Sequence, residues 1–438
     1  MNLNYCIQNS KSLAMILLLA MVAVSCQDKV LERYKVNSPV YLSYEDLRKA
    51  VSIEAPVPLK NPGKIYFKDN YIFINEYFKG IHVYDNSDPK NPVSKGFINI
   101  PGNVDIAIKE QTLYADSYID LVAIDISDLT KIKETSRIQN VFPYAVPVNE
   151  AGIITETLDQ SRGVVLEWKV TEVEKEIKNS GQNPQIMFYE DFAFAKNSAD
   201  GAFRATSTSL SGSNVSAMGV GGSMARFAIK DNALYVLTNS SIRVINISDM
   251  NHPVAINTNI NSWGIETIFL RDNYMYIGAN NGMSIYDISE NLNPKLLSTF
   301  SHITSCDPVV VQDDYAFVTL RSGRTCRNNL TNQLDVIDIK DKKAPKLLKS
   351  YSFINPNGLG IDNTTLFICD GTDGLKIYNA KDIYNITSNP IAHFKDIQAT
   401  DVIPVDGLLF MIGDDGFYQY DYASVPNIKL LSKILVEK

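Results

Sequence analysis

The stretch Leu121-Val-Ala-Ile-Asp125-Ile-Ser-Asp128 decides the fold, because altered copies of it recur along this chain of 438 residues. Each copy is an apolar run that ends in Asp or Asn and is followed by a polar turn. The recurring position is held by Asp85, Asp125, Asn246, Asp287, Asp338, Asn379 and Asp421, separated by 40, 121, 41, 51, 41 and 42 residues. A degenerate copy, Leu166-Glu-Trp-Lys169-Val-Thr, lies within the long step. A period of about 40 residues indicates a repeat architecture.

The unit from Pro62 to Gly102 shows what one repeat contains. Four short runs of β-branched and aromatic residues are separated by Gly, Pro, Asn and Asp. The stretch Asp88-Pro-Lys-Asn-Pro92 ends the third run, because proline cannot donate to a β-ladder. Four strands in about 40 residues are typical of a propeller blade, which must stack on other blades to bury its faces. The sequence therefore predicts an all-β protein, a β-propeller of four-stranded blades.

Eight units can be drawn along the chain, at 60–102, 103–143, 144–222, 223–264, 265–306, 307–358, 359–400 and 401–438. We expect eight blades, with seven as the alternative if the degenerate third unit fails to form a sheet. That unit carries an insertion at about 171–223, interpreted as a spacer or as a lid, and residues 187–194 are predicted to be its fourth strand. Each unit ends near its own fourth strand, so Asn61 and Leu435 are expected to lie side by side.

The N-terminus carries a targeting signal. Lys11 precedes an apolar run over 13–24 that is too short to remain as a transmembrane helix. The residues Ala23-Val-Ser-Cys26 resemble a bacterial lipobox, which implies cleavage before Cys26 and lipidation of its sulfur and amine. The predicted organisation is a lipoprotein signal peptide at 1–25, a tether at 26–59 with a short helix near 44–51, and the propeller at 60–438. The expected location is the cell envelope, anchored by lipid, with the outer membrane favoured.

The charge of the chain argues against nucleic acid as a partner. The formal net charge is −8, and removal of residues 1–25, which hold one Lys and no acid, makes it −9. The sequence contains no basic patch or tail that would contact phosphates.

Familiar catalytic patterns are absent from the sequence, which contains no Gly-x-Ser-x-Gly, His-Glu-x-x-His, Walker or EF-hand motif. The stretch Asn357-Gly-Leu-Gly360 precedes a strand, whereas a dinucleotide fingerprint opens a helix. The four histidines, His82, His252, His302 and His393, are interpreted as structural. Enzymatic activity is therefore not favoured.

Charged residues concentrate where first strands begin and second strands end, and in a propeller both positions border one mouth of the central channel. The predicted ligand-binding residues are Glu76, Asp105, Asp116, Arg226, Glu266, Asp307, Arg321, Asp370, Asp401 and Asp414. Clustered carboxylates raise one another's pKa unless a cation intervenes, and Ca²⁺ prefers several oxygen ligands. A Ca²⁺ site at Asp105, Asp307 and Asp401 is therefore considered, and no other cofactor is indicated. The alternative for each Asp is that it stabilises a turn.

Three cysteines follow Cys26, namely Cys306, Cys326 and Cys369. An exported protein can oxidise its thiols. Cys306 precedes a first strand and Cys326 lies between the second and third strands of the same unit, which places both on one face of the blade. A Cys306–Cys326 disulfide is therefore predicted, with Cys369 as a competing partner.

The stretch 121–128 resembles the LVIVD repeat, a motif of bacterial surface propellers. The arrangement of lipobox, tether and tandem units is similar to the LVIVD-repeat lipoproteins of the Bacteroidota, over about residues 45–438. The resemblance implies the fold and the envelope location. It implies no reaction and no site residues, because the family has no assigned activity to carry over. The third unit departs from the pattern, with Trp168-Lys169 in place of Ile-Asp.

Three functions remain open. The favoured one is a lipid-anchored module that binds an unknown protein, glycan or small molecule at the acidic mouth. One alternative is a metal-dependent propeller hydrolase or lyase that uses three or four mouth carboxylates. Another is a scaffold subunit of a surface complex that uses blade edges. Fold alone does not decide among them.

Overall fold

The computed structural model describes residues 31–176, 220–238, 240–262, 264–301, 308–322 and 332–437. These residues divide into two compact units. One unit contains 31–39, 149–158 and 168–176, and the other contains the remaining described residues. Among the residues that the structure describes, no helix has the length and apolar character needed to cross a membrane.

Seven antiparallel sheets make up most of the larger unit; six have four strands, and sheet 1 has six because one further short strand pairs with each of its edges. Sheet 1 holds β3 (Pro62–Lys68), β4 (Tyr71–Glu76), β5 (Gly80–Asp85) and β6 (Val93–Asn99), and sheet 2 holds β7 (Ile106–Lys109), β8 (Thr112–Ser117), β9 (Asp120–Asp125) and β10 (Lys133–Ile138). Sheet 3 holds β14 (Phe227–Lys230), β15 (Ala233–Leu237), β16 (Ser241–Asn246) and β17 (Val254–Asn261), and sheet 4 holds β18 (Ile265–Arg271), β19 (Tyr274–Ala279), β20 (Gly282–Asp287) and β21 (Lys295–Ser301). Sheet 5 holds β22 (Val309–Gln312), β23 (Tyr315–Leu320), β24 (Gln333–Asp338) and β25 (Lys346–Ser352); sheet 6 holds β26 (Leu359–Asp362), β27 (Thr365–Cys369), β28 (Leu375–Asn379) and β29 (Pro390–Phe394); sheet 7 holds β30 (Asp401–Val405), β31 (Leu408–Gly413), β32 (Gly416–Asp421) and β33 (Lys429–Leu435).

The sheets follow one another around a ring. The first strands contact each other in the order β3, β7, β14, β18, β22, β26 and β30, and β31 of sheet 7 contacts β3 of sheet 1. Apolar side chains on both faces of each sheet pack against the neighbouring sheets, as Tyr114, Val122 and Leu234 do. The fold is therefore a β-propeller, as the sequence predicts.

The repeated phrase forms the end of each third strand and the turn after it. In all seven sheets the recurring Asp or Asn accepts a hydrogen bond of 2.8–3.0 Å from the backbone N–H two residues later. The intervening residue donates its N–H to the turn between the first two strands, as Ile126 does to the carbonyl of Gln111 at 2.9 Å. The phrase thus connects two turns of one blade, and its Asp or Asn bonds the backbone of its own turn.

The turns between first and second strands share a backbone feature. One residue in each has a φ of 49–55°, and all seven are acidic or Asn: Asp69, Glu110, Asp231, Asp272, Asp313, Asn363 and Asp406. Tight hairpin turns need positive φ, which Asn and Asp tolerate better than most side chains. These acids therefore serve the turns at the end of the ring opposite to the predicted mouth.

The described residues of the third unit form no four-stranded sheet, and 177–219 of this unit lie outside the described residues, so eight blades, with seven as the alternative, stays a prediction. The physical reason is the degenerate phrase. β12 (Val164–Glu176) buries Val164 and Val165, but Leu166 is 43% exposed, and no Asp follows to cap a turn. β12 instead belongs to a three-stranded sheet with β1 (Leu31–Leu42) and β11 (Ile154–Thr155), in the order β11-β1-β12. Residues 187–194, the predicted fourth strand, lie outside the described residues.

Tyrosine hydroxyls hold residues 159–165 of this unit in place of a sheet. Tyr44, Tyr118 and Tyr144 donate to the carbonyls of Gln160, Val165 and Gly163 at 2.6–2.9 Å. Gly163 has a φ of 122°, and a Cβ there would lie 2.0 Å from the carbonyl oxygen of Leu42. The degenerate unit is therefore fixed by polar contacts to backbone and by a glycine.

Part of the predicted tether at 26–59 carries secondary structure. Helix α1 (Tyr44–Leu47) begins at Ser43, whose side chain accepts from the N–H of Asp46, and it buries Leu47 completely. β2 (Ser52–Glu54) pairs with the outer edge of β6. The short helix predicted near 44–51 is therefore present, whereas the strands at Leu31–Leu42 and Ser52–Glu54 were not predicted.

The two ends of the ring meet as expected from the sequence. Glu437 donates its N–H to the carbonyl of Leu59 at 2.8 Å. Gln419 of sheet 7 donates to the side chain of Asn86, next to sheet 1, also at 2.8 Å. The prediction that the termini of the repeat region lie side by side is confirmed.

Candidate binding site at the channel mouth

The mouth is the end of the ring where first strands begin and second strands end, and it contains the predicted ligand-binding residues that the structure describes. Asp307 lies outside the described residues. The other nine predicted residues differ in exposure: Glu76, Asp105, Asp116, Arg226, Arg321, Asp370 and Asp401 are buried, Glu266 is half-buried and Asp414 is exposed. The mouth is thus lined by charges that the protein shields from water.

Three of these charged residues come from different sheets and meet. Nζ of Lys64, in β3, lies 2.8 Å from Oδ2 of Asp105, which precedes β7. The same Oδ2 accepts the backbone N–H of Arg226, which precedes β14, at 2.5 Å. Burial lowers the pKa of Lys64 and of Arg226, and the neighbouring carboxylates oppose that effect. The acids of the mouth are therefore partly neutralised by the protein's own cations.

Asp116, at the end of β8, organises the loop before β7. Its Oδ1 accepts hydrogen bonds of 2.8–2.9 Å from the side-chain amide of Asn103 and the backbone N–H groups of Val104 and Asp105. Burial nevertheless raises the pKa of Asp116 to about 6. The carboxyl of Asp116 therefore holds the loop before β7 and is also a titratable group.

Asp401, the first residue of β30, is 1% exposed. Its Oδ1 accepts from both the N–H of Ser223 at 3.0 Å and the hydroxyl of Ser223 at 2.8 Å. The Oγ of Ser223 in turn accepts the N–H of Leu359 at 2.6 Å. Oδ2 of Asp401 has no hydrogen-bond partner among the described residues, and burial raises the pKa of this carboxyl to about 8.

Residues 220–226, which we name the channel segment, run beside β3 from its far end toward the mouth, and every one of them is buried. β13 (Val220–Gly221) pairs with β3 of sheet 1, and Ser223 bonds sheets 6 and 7 as described. The carbonyl of Ala225 accepts the N–H of Ile268 in sheet 4 at 3.0 Å, and Arg226 bonds Asp105 beside sheet 2. These seven residues therefore form hydrogen bonds with the first strands of five sheets, or with residues just before those strands. The segment then continues into the first strand of a sixth sheet, sheet 3.

The bonds of the channel segment were not predicted from the sequence, which assigned residues 219–223 to the end of an insertion interpreted as a spacer or as a lid. The available signal was the run of small residues. A Cβ on Gly222 or Gly358 would lie 2.0–2.1 Å from a carboxylate oxygen of Asp401, so both positions require glycine in this arrangement. Glycines on two sides of a buried acid show that two stretches of backbone approach each other closely. The spacing of residues along the sequence does not reveal this approach.

The remaining mouth residues hold loops within their own sheets. Glu76 accepts from the backbone of Lys60 and Asn61 and lies 3.0 Å from His82. Burial works against ionisation of Glu76, but these hydrogen bonds prevail and lower its pKa. Glu76 thus fixes the chain that leads into β3 and pairs with a histidine of β5.

Sheet 6 contains a similar arrangement. Asp370 accepts from the N–H groups of Ile354 and Asn355 and pairs with Lys376 at 2.6 Å. Arg321 donates to the side chain of Asn357 at 2.6 Å. Both charged residues fix the chain that leads into β26.

The calcium and disulfide predictions involve residues that the structure does not describe. Of the proposed Ca²⁺ ligands, Asp105 is engaged by Lys64 and Arg226, and Asp401 by Ser223. In the described ranges, no three His, Cys, Asp or Glu side chains form a group able to hold a metal ion. Cys306 and Cys326 also lie outside those ranges. Cys369 is described, is buried with a free thiol, and has a pKa raised well above the usual value by burial.

The chain carries LVIVD repeats, since the profile of that repeat matches residues 102–139 and 266–301. No match was found among curated proteins. Similar solved structures include BamB from Moraxella catarrhalis, with 8% identity, 89% of this chain and 97% of that chain covered, and a TM-score of 0.45. They also include the periplasmic gluconolactonase PpgL from Pseudomonas aeruginosa, with 8% identity, coverage of 86% and 96%, and a TM-score of 0.49. The computationally designed Ika8 protein is similar at 10% identity, coverage of 87% and 88%, and a TM-score of 0.47.

Proposed function

We propose that this protein is an interaction module of the cell envelope that binds its partner at the mouth. The observation that carries the proposal is the concentration of buried charge at that end of the ring. Lys64, Asp105, Arg226 and Asp401 are each no more than 7% exposed and come from four different parts of the chain. Burying charge costs stability, and burial shifts the pKa values of Lys64, Arg226 and Asp401; such groups are more common at functional sites than elsewhere.

The opposite end of the ring offers a different chemistry. The acids there cap turns, as Asp125 does with the N–H of Ser127 at 2.9 Å. The pKa of Asp125 is lowered chiefly by that backbone bond. These carboxylates bond turns within their own sheets, whereas Asp105 and Asp401 at the mouth bond residues from other parts of the chain, which makes the mouth the better candidate surface.

The rim of the mouth provides contacts around the buried network. Asp396, which links sheets 6 and 7, and Asp414, between β31 and β32, are exposed. A binding surface with a polar rim around a shielded centre fits a protein or glycan partner, because rim charges guide encounter and buried groups set specificity. The partner is expected to be cationic or rich in hydrogen-bond donors.

The test compares charge reversals at the two ends of the ring. One variant combines Asp396→Lys with Asp414→Lys, and its matched control combines Lys340→Glu with Lys343→Glu, two exposed residues at the opposite end. The size of the native complex extracted from membranes of the source cells would be measured for each. The mouth variant is expected to lose the complex while the control keeps it. Equal behaviour of the two variants would overturn the assignment of the mouth.

We further propose that Cys26 anchors the protein to the envelope, because the residues Ala23-Val-Ser-Cys26 have the lipobox pattern. Two or more acyl chains give stable anchoring, whereas one gives only reversible binding. Metabolic labelling with a fatty acid tests this in the wild type and in Cys26→Ala. The variant is expected to lose the label and leave the membrane fraction, and a labelled, membrane-bound variant would refute the anchor.

A further inference from the structure

The three-stranded sheet of β11, β1 and β12 follows Cys26 closely in the chain. Only residues 27–30 lie between Cys26 and Leu31, where β1 begins. An extended chain spans at most about 3.6 Å per residue, so Leu31 lies within about 18 Å of Cys26. A protein that is anchored through Cys26 therefore holds the start of β1 close to the lipid headgroups.

Two side-chain contacts define the faces of this sheet. Nε of Arg33 lies 2.6 Å from Oε1 of Glu174, and the hydroxyl oxygens of Ser38 and Thr171 lie 2.7 Å apart. Successive side chains of a strand point to opposite faces. One face therefore carries the odd-numbered residues of β1 with the even-numbered residues of β12, and the other face carries the remaining residues of these two strands.

The face that carries Arg33 has an apolar patch among charged residues. Trp168 and Val170 lie on it two positions apart in β12; Trp168 is half-buried and Val170 is 40% exposed. Lys35 and Glu172 are exposed on the same face. Tryptophan concentrates at the membrane–water interface, because its ring is apolar while its N–H seeks a polar partner. An apolar patch with tryptophan and flanking charges fits the boundary between headgroups and acyl chains.

We propose that this face of the three-stranded sheet lies on the bilayer, with Trp168 and Val170 in contact with lipid. The inference rests on the anchor at Cys26 proposed above, because the short connection to β1 is what brings the sheet to the lipid. Thr171 contacts Ser38, which is seven residues along β1 from Leu31, or about 23 Å in a strand. β1 must therefore run along the surface of the bilayer and not stand away from it.

Quenching by brominated lipid tests the contact. The chain has two tryptophans, so Trp263→Phe leaves Trp168 as the only one. The lipidated Trp263→Phe protein would be reconstituted into vesicles of phosphatidylethanolamine and phosphatidylglycerol, with and without bromine on the acyl chains. Bromine quenches tryptophan only at short range, so brominated lipid is expected to remove more than half of the Trp168 fluorescence. Equal fluorescence in the two kinds of vesicle would overturn the proposal.

Two charge insertions on opposite faces of the sheet locate the contact. In the Trp263→Phe background, Val170→Glu places a carboxylate beside Trp168 and is expected to remove more than half of the quenching. Ile154→Glu is the matched control, because Ile154 is 48% exposed and pairs with Val36 on the other face. It is expected to leave the quenching unchanged. A larger loss with Ile154→Glu than with Val170→Glu would contradict the proposed face.

Flotation of the same vesicles separates failure of the contact from failure of the anchor. Each variant is expected to float with the vesicles, since the acyl chains on Cys26 hold it there. Floating protein with unquenched Trp168 would refute the contact and leave the anchor standing. Protein that does not float would refute the anchor and this inference together.

Discussion

Nζ of Lys64 lies 2.8 Å from Oδ2 of Asp105, and both side chains are almost completely buried. Removing one partner of a buried ion pair leaves an uncompensated charge, which typically costs about 3–5 kcal/mol. Lys64→Met is therefore expected to lower the free energy of unfolding by about 3 kcal/mol in urea denaturation.

The double variant Lys64→Met with Asp105→Asn provides the control. It removes the positive charge together with the negative one, so its loss of stability should be smaller than the sum of the two single losses. Strictly additive losses would show that the two charges do not interact in the folded protein.

Asp116 makes the stability of the folded protein depend on pH, and comparison with a single variant isolates its contribution. Its folded pKa of about 6 lies above the unfolded value of about 4, so the folded state holds the extra proton in between. Asp116 therefore lowers the free energy of unfolding as pH rises from 4 to 6, by up to about 3 kcal/mol, and has no further effect above pH 6. Asp116→Asn keeps the acceptor for Asn103, so the difference in free energy of unfolding between variant and wild type should change only over that interval and stay constant above pH 6. A difference that is constant with pH would contradict the assignment.

The repeated phrase predicts a graded response to substitution at Asp125. Asp125→Ala removes the hydrogen bond to the N–H of Ser127 and is expected to cost about 1 kcal/mol. Asp125→Asn should be nearly neutral, because Asn246 and Asn379 make the same bond at 2.9 Å in sheets 3 and 6. Thermal melting of the two variants checks this order, and an Asn variant as unstable as the Ala variant would show that charge, rather than the bond, matters.

Gly163 should tolerate no side chain. Gly163→Ala would place a Cβ 2.0 Å from the carbonyl oxygen of Leu42 at a φ of 122°, so a loss of more than about 1 kcal/mol is expected. Gly152→Ala is the matched control, since Gly152 also has positive φ, at 80°, but its Cβ would meet nothing within 4 Å. Similar melting temperatures for the two variants would contradict the close packing of residues 159–165.

The sequence predicted the parts of the fold that depend on local chemistry. The strands of a blade and the turn of Asp125 follow from residues that are neighbours in sequence. The number of sheets depends on whether the weak phrase around Trp168 can form a blade, which spacing could not decide. In the structure the exposed Leu166 and the missing turn-forming Asp explain why this stretch joins β1 and β11 instead.

The mouth was harder to predict. Their positions at strand ends predicted that Asp105 and Arg226 lie at one end of the ring, as they do in the structure. The hydrogen bond between them, which joins residues 121 positions apart, was not predicted. The contact of Ser223 with Asp401 spans 178 positions and depends on backbone approach at glycines. Such contacts depend on how the sheets close into a ring. The repeat pattern shows only the features that the blades share, so it cannot predict them.

Site-specific photo-crosslinking in the source cells tests the central claim most directly. A crosslinking phenylalanine analogue would replace Asp414 at the mouth or Lys343 at the opposite end, both of which are exposed. The account predicts a discrete crosslinked partner from position 414 and none from position 343. A partner captured from position 343 but not from position 414 would contradict it.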